Sequence, residues 1–163
     1  KDQMRTNINW YHWYDFVHND NDPMPQAIDS HWTHVAWTIA ARMNNWKWMI
    51  WVNPNAKIAS LMAWQGGSLW TNYIINALDY AINNWIKILN ASYWWYVYDT
   101  WAYEAYAKFR NSWWIFVASA WNKWIDVDDT PHYPSGYGLD NIISVTATQS
   151  DGNLLTYFWG LRV

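Results

Sequence analysis

The chain has 163 residues, enough for a single domain with a sizeable hydrophobic core. Ten Lys and Arg against thirteen Asp and Glu give a formal charge of −3, and the basic residues are scattered, which argues against nucleic acid as a partner. The absence of cysteine excludes a disulfide scaffold, a cysteine nucleophile and a thiolate zinc site, and no apolar run reaches the roughly 18 residues that a membrane span requires.

The first part of the chain predicts a polar opening, then a helix, a strand and a loop. Asn19 to Pro25 is rich in turn-forming residues. A helix is predicted to begin at Asp29-Ser30, where either side chain could cap it, and its apolar stripe continues to Asn44-Asn45. A short buried strand is predicted from Ala56 to Ala63, followed by a loop from Gln65 to Ser68.

The remaining part alternates helices with strands. Apolar residues from Ile74 to Ile82 recur at helical spacing, and Asn83-Asn84 would end that helix. A further helix is predicted around Ala102 to Phe109. The predicted strands are Ile86 to Ala91, Ile115 to Ala118 and Ile142 to Ala147.

This alternation predicts an α/β fold with a mainly parallel sheet covered by helices. In such sheets, binding sites form in the loops beyond the carboxyl ends of the strands. The loops that follow Ala63, Ala91 and Ala120 are therefore the places where functional residues are expected.

Six ordered segments resemble one protein family. Residues 29 to 40 read Asp-Ser-His-Trp-Thr-His-Val-Ala-Trp-Thr-Ile-Ala, similar to the histidine motif of the subtilases (peptidase family S8), with Trp at its two Gly positions. The other five segments follow in the family's order, and the likeness extends from about residue 13 to residue 158. The resemblance implies a subtilisin-like α/β fold of three layers, doubly wound, with a mainly parallel sheet. The five segments are residues 53–58, 77–81, 88–92, 116–122 and 133–147.

The resemblance also implies that residues 1–163 are one part of a catalytic domain. Subtilases use a catalytic triad in the chain order Asp, His, Ser. Only the histidine motif has a match here, so the aspartate segment is expected upstream and the serine segment downstream. The fold is accordingly expected to be incomplete at both ends, and this fragment alone is expected to be inactive.

The family's functional positions can be carried over residue by residue. The resemblance implies that His31 is the general base and that the Asn122 side chain donates a hydrogen bond in the oxyanion hole. Ser92, Tyr93 and Trp94 match the segment that binds an extended substrate peptide through its backbone. Without the motif context, His31 would be interpreted as a capping or surface residue and Asn122 as a turn residue.

Metal chemistry finds little support in the sequence. His34 follows His31 by about one helical turn, but no third ligand is evident and Glu104 is the only glutamate, so no metal site is predicted. Two acidic groups lack a recognisable calcium-ligand spacing and are interpreted as solvated loops. The resemblance still allows structural calcium in the full-length protein, because many subtilases bind it. The acidic groups are Asp20 with Asp22, and Asp126 with Asp128 and Asp129.

The resemblance implies a serine-type endopeptidase that acts on peptide or protein substrates through an acyl-enzyme and needs no cofactor for that chemistry. It also implies a secreted or extracellular location; Lys1-Asp2-Gln3 carries no signal-peptide core, so an export signal is expected upstream. The alternative is a catalytically inactive peptide-binding domain of the same fold. A carbohydrate-binding aromatic module is a third hypothesis.

The composition is unusual in having 18 Trp and only 6 Gly, where Gly makes up roughly 7% of typical domains. We hypothesise that UGA codons encode these positions and that the source organism reads UGA as glycine. A translation table that assigns UGA to tryptophan would then give tryptophan at each of them. A designed or scrambled aromatic variant, or genuine stacking platforms along one exposed face, are the alternatives. The positions at which the family resemblance expects glycine are Trp32, Trp37, Trp51, Trp85, Trp94, Trp113 and Trp121.

Overall fold

A computed structural model describes residues 9–23, 30–41, 52–53, 55–65, 68–120, 129–148 and 150–153. The chain divides into two compact units, Lys1–Ala77 and Leu78–Val163. Within the described residues, none of the helices has the length and apolarity that a membrane crossing needs.

The first unit contains a parallel strand pair. Strand β1 (Asn9–Asp15) pairs with β2 (Lys57–Met62), and the register shifts between Trp10 and His12. Parallel neighbours require a long connection, and that connection contains helix α1 (Ser30–Ala40). The sequence predicts β2 but not β1. The aromatic residues of β1 occur as two adjacent pairs, Trp10-Tyr11 and Trp13-Tyr14, so the segment lacks the alternation of apolar and polar residues that predicts a strand.

Helix α1 begins at Ser30, as predicted, and ends at Ala40. The predicted extension to Asn44-Asn45 lies outside the described residues. The chain returns to the end of α1, because Val52 N donates to the Thr38 carbonyl at 3.4 Å and Asn53 N donates to the Ile39 carbonyl at 3.0 Å. These bonds satisfy carbonyl groups that have no partner inside the helix.

The predicted loop from Gln65 to Ser68 is wrong at its two ends. Gln65 belongs to strand β3 (Trp64–Gln65) and Ser68 to strand β4 (Ser68–Leu69), which pair in antiparallel fashion. Two-residue strands are too short to show a periodic pattern, so turn-forming residues dominate the prediction.

Helix α2 (Thr71–Asn83) buries Ile74, Leu78 and Ala81 and ends where predicted. The next strand, β5 (Ile88–Ala91), starts two residues later than predicted. The reason is that Ile86 N still donates to the Ala81 carbonyl of α2, at 2.9 Å.

The second unit is built on a three-stranded parallel sheet in the order β5, β6 (Ile115–Ser119), β7 (Ile142–Val145). This confirms the prediction of a mainly parallel α/β fold. Strand β7 ends two residues earlier than predicted, because its neighbour β6 already ends at Ser119. Helix α3 (Thr100–Asn111) connects β5 to β6.

Aromatic side chains join α3 to the sheet. Tyr106 and Phe109 of α3 are buried, and their rings lie edge-on to Phe116 of β6, with centroids 4.8 and 6.3 Å away. Burying a side chain of this size contributes about 1.5–3 kcal/mol. The other face of the sheet leaves Ile115 of β6 and Ile143 of β7 partly exposed.

Asp99 caps the N-terminus of α3. Its Oδ1 accepts hydrogen bonds from Trp101 N at 2.9 Å and from Ala102 N at 3.1 Å. Both N–H groups lack partners inside the helix, so the carboxylate stabilises the first turn and opposes the helix dipole.

We expect Asp99→Ala to lower the free energy of unfolding by about 1 kcal/mol, because two backbone donors lose their acceptor. Urea denaturation measures the change. Asp99→Asn keeps a capping oxygen and should recover most of the loss. Asp140→Ala is the control: its carboxylate is 86% exposed and 3.9 Å from Arg110, so the change should stay within about 0.5 kcal/mol. Equal losses for Asp99→Ala and Asp140→Ala would contradict a specific capping role.

Candidate functional site

His31 lies in the first turn of α1, and its side chain is exposed. The imidazole meets the Trp32 ring edge-on, with centroids 4.7 Å apart and planes at 76°. Trp32 in turn contacts Trp64 of β3 edge-on at 6.2 Å. The candidate base is therefore accessible to solvent while one side of its ring is bounded by an indole.

His34 occupies the following turn of α1 and is also exposed. Its backbone carbonyl accepts a hydrogen bond from Thr38 Oγ1 at 3.0 Å. In the part of the chain that the structure describes, no three His, Cys, Asp or Glu side chains are grouped closely enough to hold a metal ion.

Ser92, Tyr93 and Trp94 follow the carboxyl end of β5, at the edge of the three-stranded sheet. Ser92 Oγ accepts a hydrogen bond from Asn90 Nδ2 at 2.9 Å. Trp94 is 37% exposed and meets Tyr96 edge-on at 4.9 Å. The loop is anchored one residue later, where Trp95 and Tyr133 exchange two backbone hydrogen bonds of 2.9 and 2.8 Å.

Aromatic rings of this loop pack against rings from other parts of the second unit, and we call the whole group the tyrosine cluster. The Tyr93 and Tyr106 hydroxyls are 3.0 Å apart, and the Tyr137 hydroxyl donates to the Asp99 carbonyl at 3.1 Å. Burial raises the pKa of Tyr93 to about 12 and also raises the pKa of Tyr106 and of Tyr137. All three hydroxyls therefore stay neutral at physiological pH. The cluster comprises Tyr93, Trp95, Tyr98, Tyr103, Tyr106, Tyr133 and Tyr137.

Asn122 lies outside the described residues, but the strand end that precedes it is well defined. Ala120 N donates to the Val145 carbonyl at 2.8 Å, which continues the pairing of β6 with β7. His132 packs close by and is only 3% exposed. Burial lowers the pKa of His132, while hydrogen bonds to the backbone of Ala120 and Ser119 act in the opposite direction. No motif or spacing in the sequence singles out His132.

Comparison with known proteins identifies the family. Residues 2–158 match the profile of the Subtilase family. The chain belongs to this family. A thermophilic serine proteinase from Bacillus sp. (strain AK1) is 31% identical over 145 residues, which cover 88% of this chain and 34% of that protein. Thermitase from Thermoactinomyces vulgaris is 30% identical over 142 residues, covering 86% of this chain and 48% of thermitase.

Solved structures confirm the subtilase fold. A lanthipeptide protease superimposes with a TM-score of 0.72 at 18% identity, covering 94% of this chain and 46% of that chain. The epidermin leader peptide processing serine protease of Staphylococcus aureus gives a TM-score of 0.63 at 20% identity. The superposition covers 74% of this chain and 34% of the epidermin protease chain. The predicted subtilisin-like α/β fold is therefore correct, and the chain spans between a third and a half of the curated relatives it matches.

The predicted site residues of this subtilase fall in separate parts of the chain. His31 belongs to the first unit, whereas Ser92, Tyr93 and Trp94 lie side by side in the second. Tyr93 differs from the other two substrate-segment residues, because its ring stacks on Trp95 at 6.0 Å and its hydroxyl is bonded within the tyrosine cluster. Its side chain therefore supports the segment from within.

A second feature that the sequence did not predict is a buried carboxylate at the end of β1. Asp15 is 2% exposed, and its Oδ1 accepts hydrogen bonds from Val17 N at 2.7 Å and His18 N at 3.0 Å. Its Oδ2 is 2.8 Å from His18 Nδ1. This hydrogen bond and the negative charge raise the pKa of His18.

The acidic residues Asp20 and Asp22 lie in the same turn, and both are exposed. Asp20 exchanges backbone hydrogen bonds with Asp15, and its Oδ1 accepts from Asp22 N at 2.8 Å. The interpretation of Asp20 with Asp22 as a solvated loop stays a prediction; Asp126 and Asp128 of the other acidic group lie outside the described residues.

We expect the Asp15–His18 pair to make stability depend on pH. The folded-state pKa of His18 lies above the ordinary value of 6.5, so its contribution is fully present below about pH 6.5 and is lost as the pH rises through the raised value. The measurement is the Tm of the parent minus that of His18→Gln between about pH 5.5 and pH 9.

The difference should be largest at the acid end and should shrink towards alkaline pH. Asn111→Ala, which replaces an exposed residue without a titratable group, is the control and should show no such trend. A difference between the parent and His18→Gln that is constant across this range would contradict the ion pair.

Proposed function

We propose that the protein containing this chain is a serine endopeptidase that cleaves peptide bonds through an acyl-enzyme, with His31 as general base. The observation that carries the proposal is the subtilase histidine motif at the start of α1, with an exposed imidazole in the first helical turn. Membership of the family and its two serine proteinase relatives support it.

In this mechanism His31 takes the proton of the nucleophilic serine as the serine oxygen attacks the scissile carbonyl. It then gives the proton to the leaving amine, and it repeats the exchange with water to release the acyl group. The serine nucleophile and the aspartate that orients the imidazole are proposed to lie in other segments of the full-length protein. The chemistry requires no cofactor.

The substrate is proposed to bind as an extended peptide along Ser92, Tyr93 and Trp94, forming backbone hydrogen bonds as an added strand. The position of these residues just beyond the carboxyl end of β5 supports this role, because binding sites of parallel α/β sheets form in the loops that follow the strands. The tyrosine cluster and the Trp95–Tyr133 bonds would keep the segment fixed.

Asn122 is proposed to donate its side-chain amide to the oxyanion of the tetrahedral intermediate. Support comes from its place in the sequence, two residues beyond Ala120, whose N–H continues the β6–β7 pairing. Peptides or proteins are the proposed substrates, and a secreted or extracellular location is the proposed setting.

A catalytically inactive peptide-binding domain is the second candidate. The observation that favours it is the bulk of Trp32 beside the His31 ring and of Trp94 in the substrate segment. Incubating the purified full-length protein with a fluorogenic peptide and, separately, with a fluorophosphonate distinguishes the two. Hydrolysis together with covalent labelling supports the protease, and peptide binding without either supports the binding domain.

We expect His31→Ala in the full-length protein to reduce kcat by about 10⁶-fold, a magnitude borrowed from the catalytic histidine of subtilisin. The loss arises because the serine no longer has an acceptor for its proton. Fluorogenic peptide hydrolysis measures it. His34→Ala, one helical turn away on the same helix, should leave kcat close to that of the parent. Comparable losses in both variants would indicate a structural effect on α1 and contradict the assignment of His31.

We expect Asn122→Ala to reduce kcat by about 10²–10³-fold with little change in KM, again by the magnitude found in subtilisin. The amide would contact the oxyanion in the transition state and not the bound substrate. Steady-state kinetics separate the two parameters, and Asn111→Ala, at the exposed end of α3, is the control. A rise in KM with unchanged kcat would assign Asn122 to substrate binding instead.

A further inference from the structure

Two tryptophans adopt a backbone conformation that favours glycine. Trp85 has φ 57° and Trp113 has φ 64°, both in the left-handed region. In that region the β-carbon of an L-residue approaches the following carbonyl oxygen, and glycine alone avoids the contact. The other left-handed residues in the described ranges are Gly138, Gly152 and Asn19, types that commonly occur there.

Trp85 ends helix α2 in a Schellman motif. Its N–H donates to the Ile82 carbonyl at 3.3 Å, and the next residue, Ile86, donates to the Ala81 carbonyl at 2.9 Å. This pair of bonds requires the residue just past the helix to be left-handed, and that residue is usually glycine.

Trp113 stands at the equivalent position of α3. Ser112 is the C-terminal cap with φ −83°, and Trp113 N donates to the Arg110 carbonyl at 2.8 Å. At both helix ends, therefore, a left-handed residue donates its N–H to the carbonyl three residues before it, and each time tryptophan occupies the position that favours glycine.

The indole side chains gain little from these positions. Trp113 is 94% exposed, and Trp85 is 74% exposed. Trp85 contacts the Trp114 ring at 6.1 Å and lies 6.0 Å from Lys87 Nζ. Burial of the indole therefore does not compensate for the unfavourable contact of the β-carbon in the left-handed conformation.

We propose that residues 85 and 113 are glycine in the protein as its own organism makes it, because its gene is read with a code in which UGA specifies glycine. Some translation tables assign UGA to tryptophan, so glycine codons of such a gene would be written as tryptophan. The 18 Trp and 6 Gly of the sequence agree with this substitution, since together they number 24. The same codon would then stand at the other tryptophans, including Trp94 of the substrate segment.

An aromatic binding platform explains the positions less well. Helix α3 has 12 residues and is about 18 Å long, so Trp101 in its first turn and Trp113 beyond its end lie at opposite ends of the helix. Stacking on a sugar or base would require neighbouring rings on one face, and it would not require left-handed backbone.

The deciding experiment is tandem mass spectrometry of the peptides that span residues 85 and 113, using protein isolated from the source organism, together with the codons of its gene. Glycine masses at both positions with UGA codons are expected. Tryptophan masses, or UGG codons, at these two positions would overturn the proposal. The readout is independent of folding and of protease activity, so it is separate from the proposed function.

A stability comparison tests the physical cause. In the chain as written, Trp113→Gly should raise Tm by about 2–8 °C, whereas Trp113→Ala removes the indole but keeps the β-carbon and should raise it less. Trp101 is the matched control, because it is 76% exposed but lies inside α3. There glycine should give a Tm about 2–4 °C below that of alanine. Equal Tm values for Trp113→Gly and Trp113→Ala would rule out the backbone conformation as the reason for glycine.

Discussion

The contact between helix α3 and strand β6 is the interaction on which the second unit depends. Phe116 lies at the middle strand of the sheet, and Tyr106 and Phe109 cover it from the helix. Parallel strands cannot pair without a connection that returns across the sheet, so this packing also fixes the pairing of β5 with β6. The register Ala91↔Ala118 then brings the ends of both strands to the same edge, from which the substrate segment and the Asn122 segment begin.

The sequence predicts the elements whose pattern is carried by aliphatic residues. Helix α2 and strand β6 were found because periodicity and apolar runs report burial directly. Strand β1 was missed because its Trp and Tyr residues stand in adjacent pairs and do not alternate with polar residues, and the β3–β4 pair because its strands have two residues each. For β1, pairing with the distant strand β2 supplies the order, and local sequence contains no record of that partner. The strands β3 and β4 are neighbours in the chain, and there the short length alone hides the pattern.

The residues of the candidate site fall into two groups. Local sequence motifs identify the first group, and only tertiary contacts reveal the second. His31 and the substrate segment were identified from local motifs that lie on single elements. The tyrosine cluster could not be identified in this way, because Tyr93, Tyr106 and Tyr137 come from three separate stretches of chain. His132 and the Asp15–His18 pair were missed for a related reason: their properties follow from burial, which lowers the pKa of His132 and leaves Asp15 as a buried partner that raises the pKa of His18.

The two left-handed residues have a bearing on the site as well as on the helix ends. Trp85 stands between α2 and β5, and Trp113 stands between α3 and β6, so each reverses the chain into a strand that leads to a segment of the proposed site. A residue that is strained in this turn weakens the closure of the helix and the entry into the strand together, because Ile86 and Ile115 take part in the first bonds after the turn. Glycine at these positions would remove the strain without removing any buried contact of Trp113, whose indole is almost fully exposed. The left-handed turn at each helix end and the strand that leads to a segment of the proposed site therefore belong to the same α/β connection.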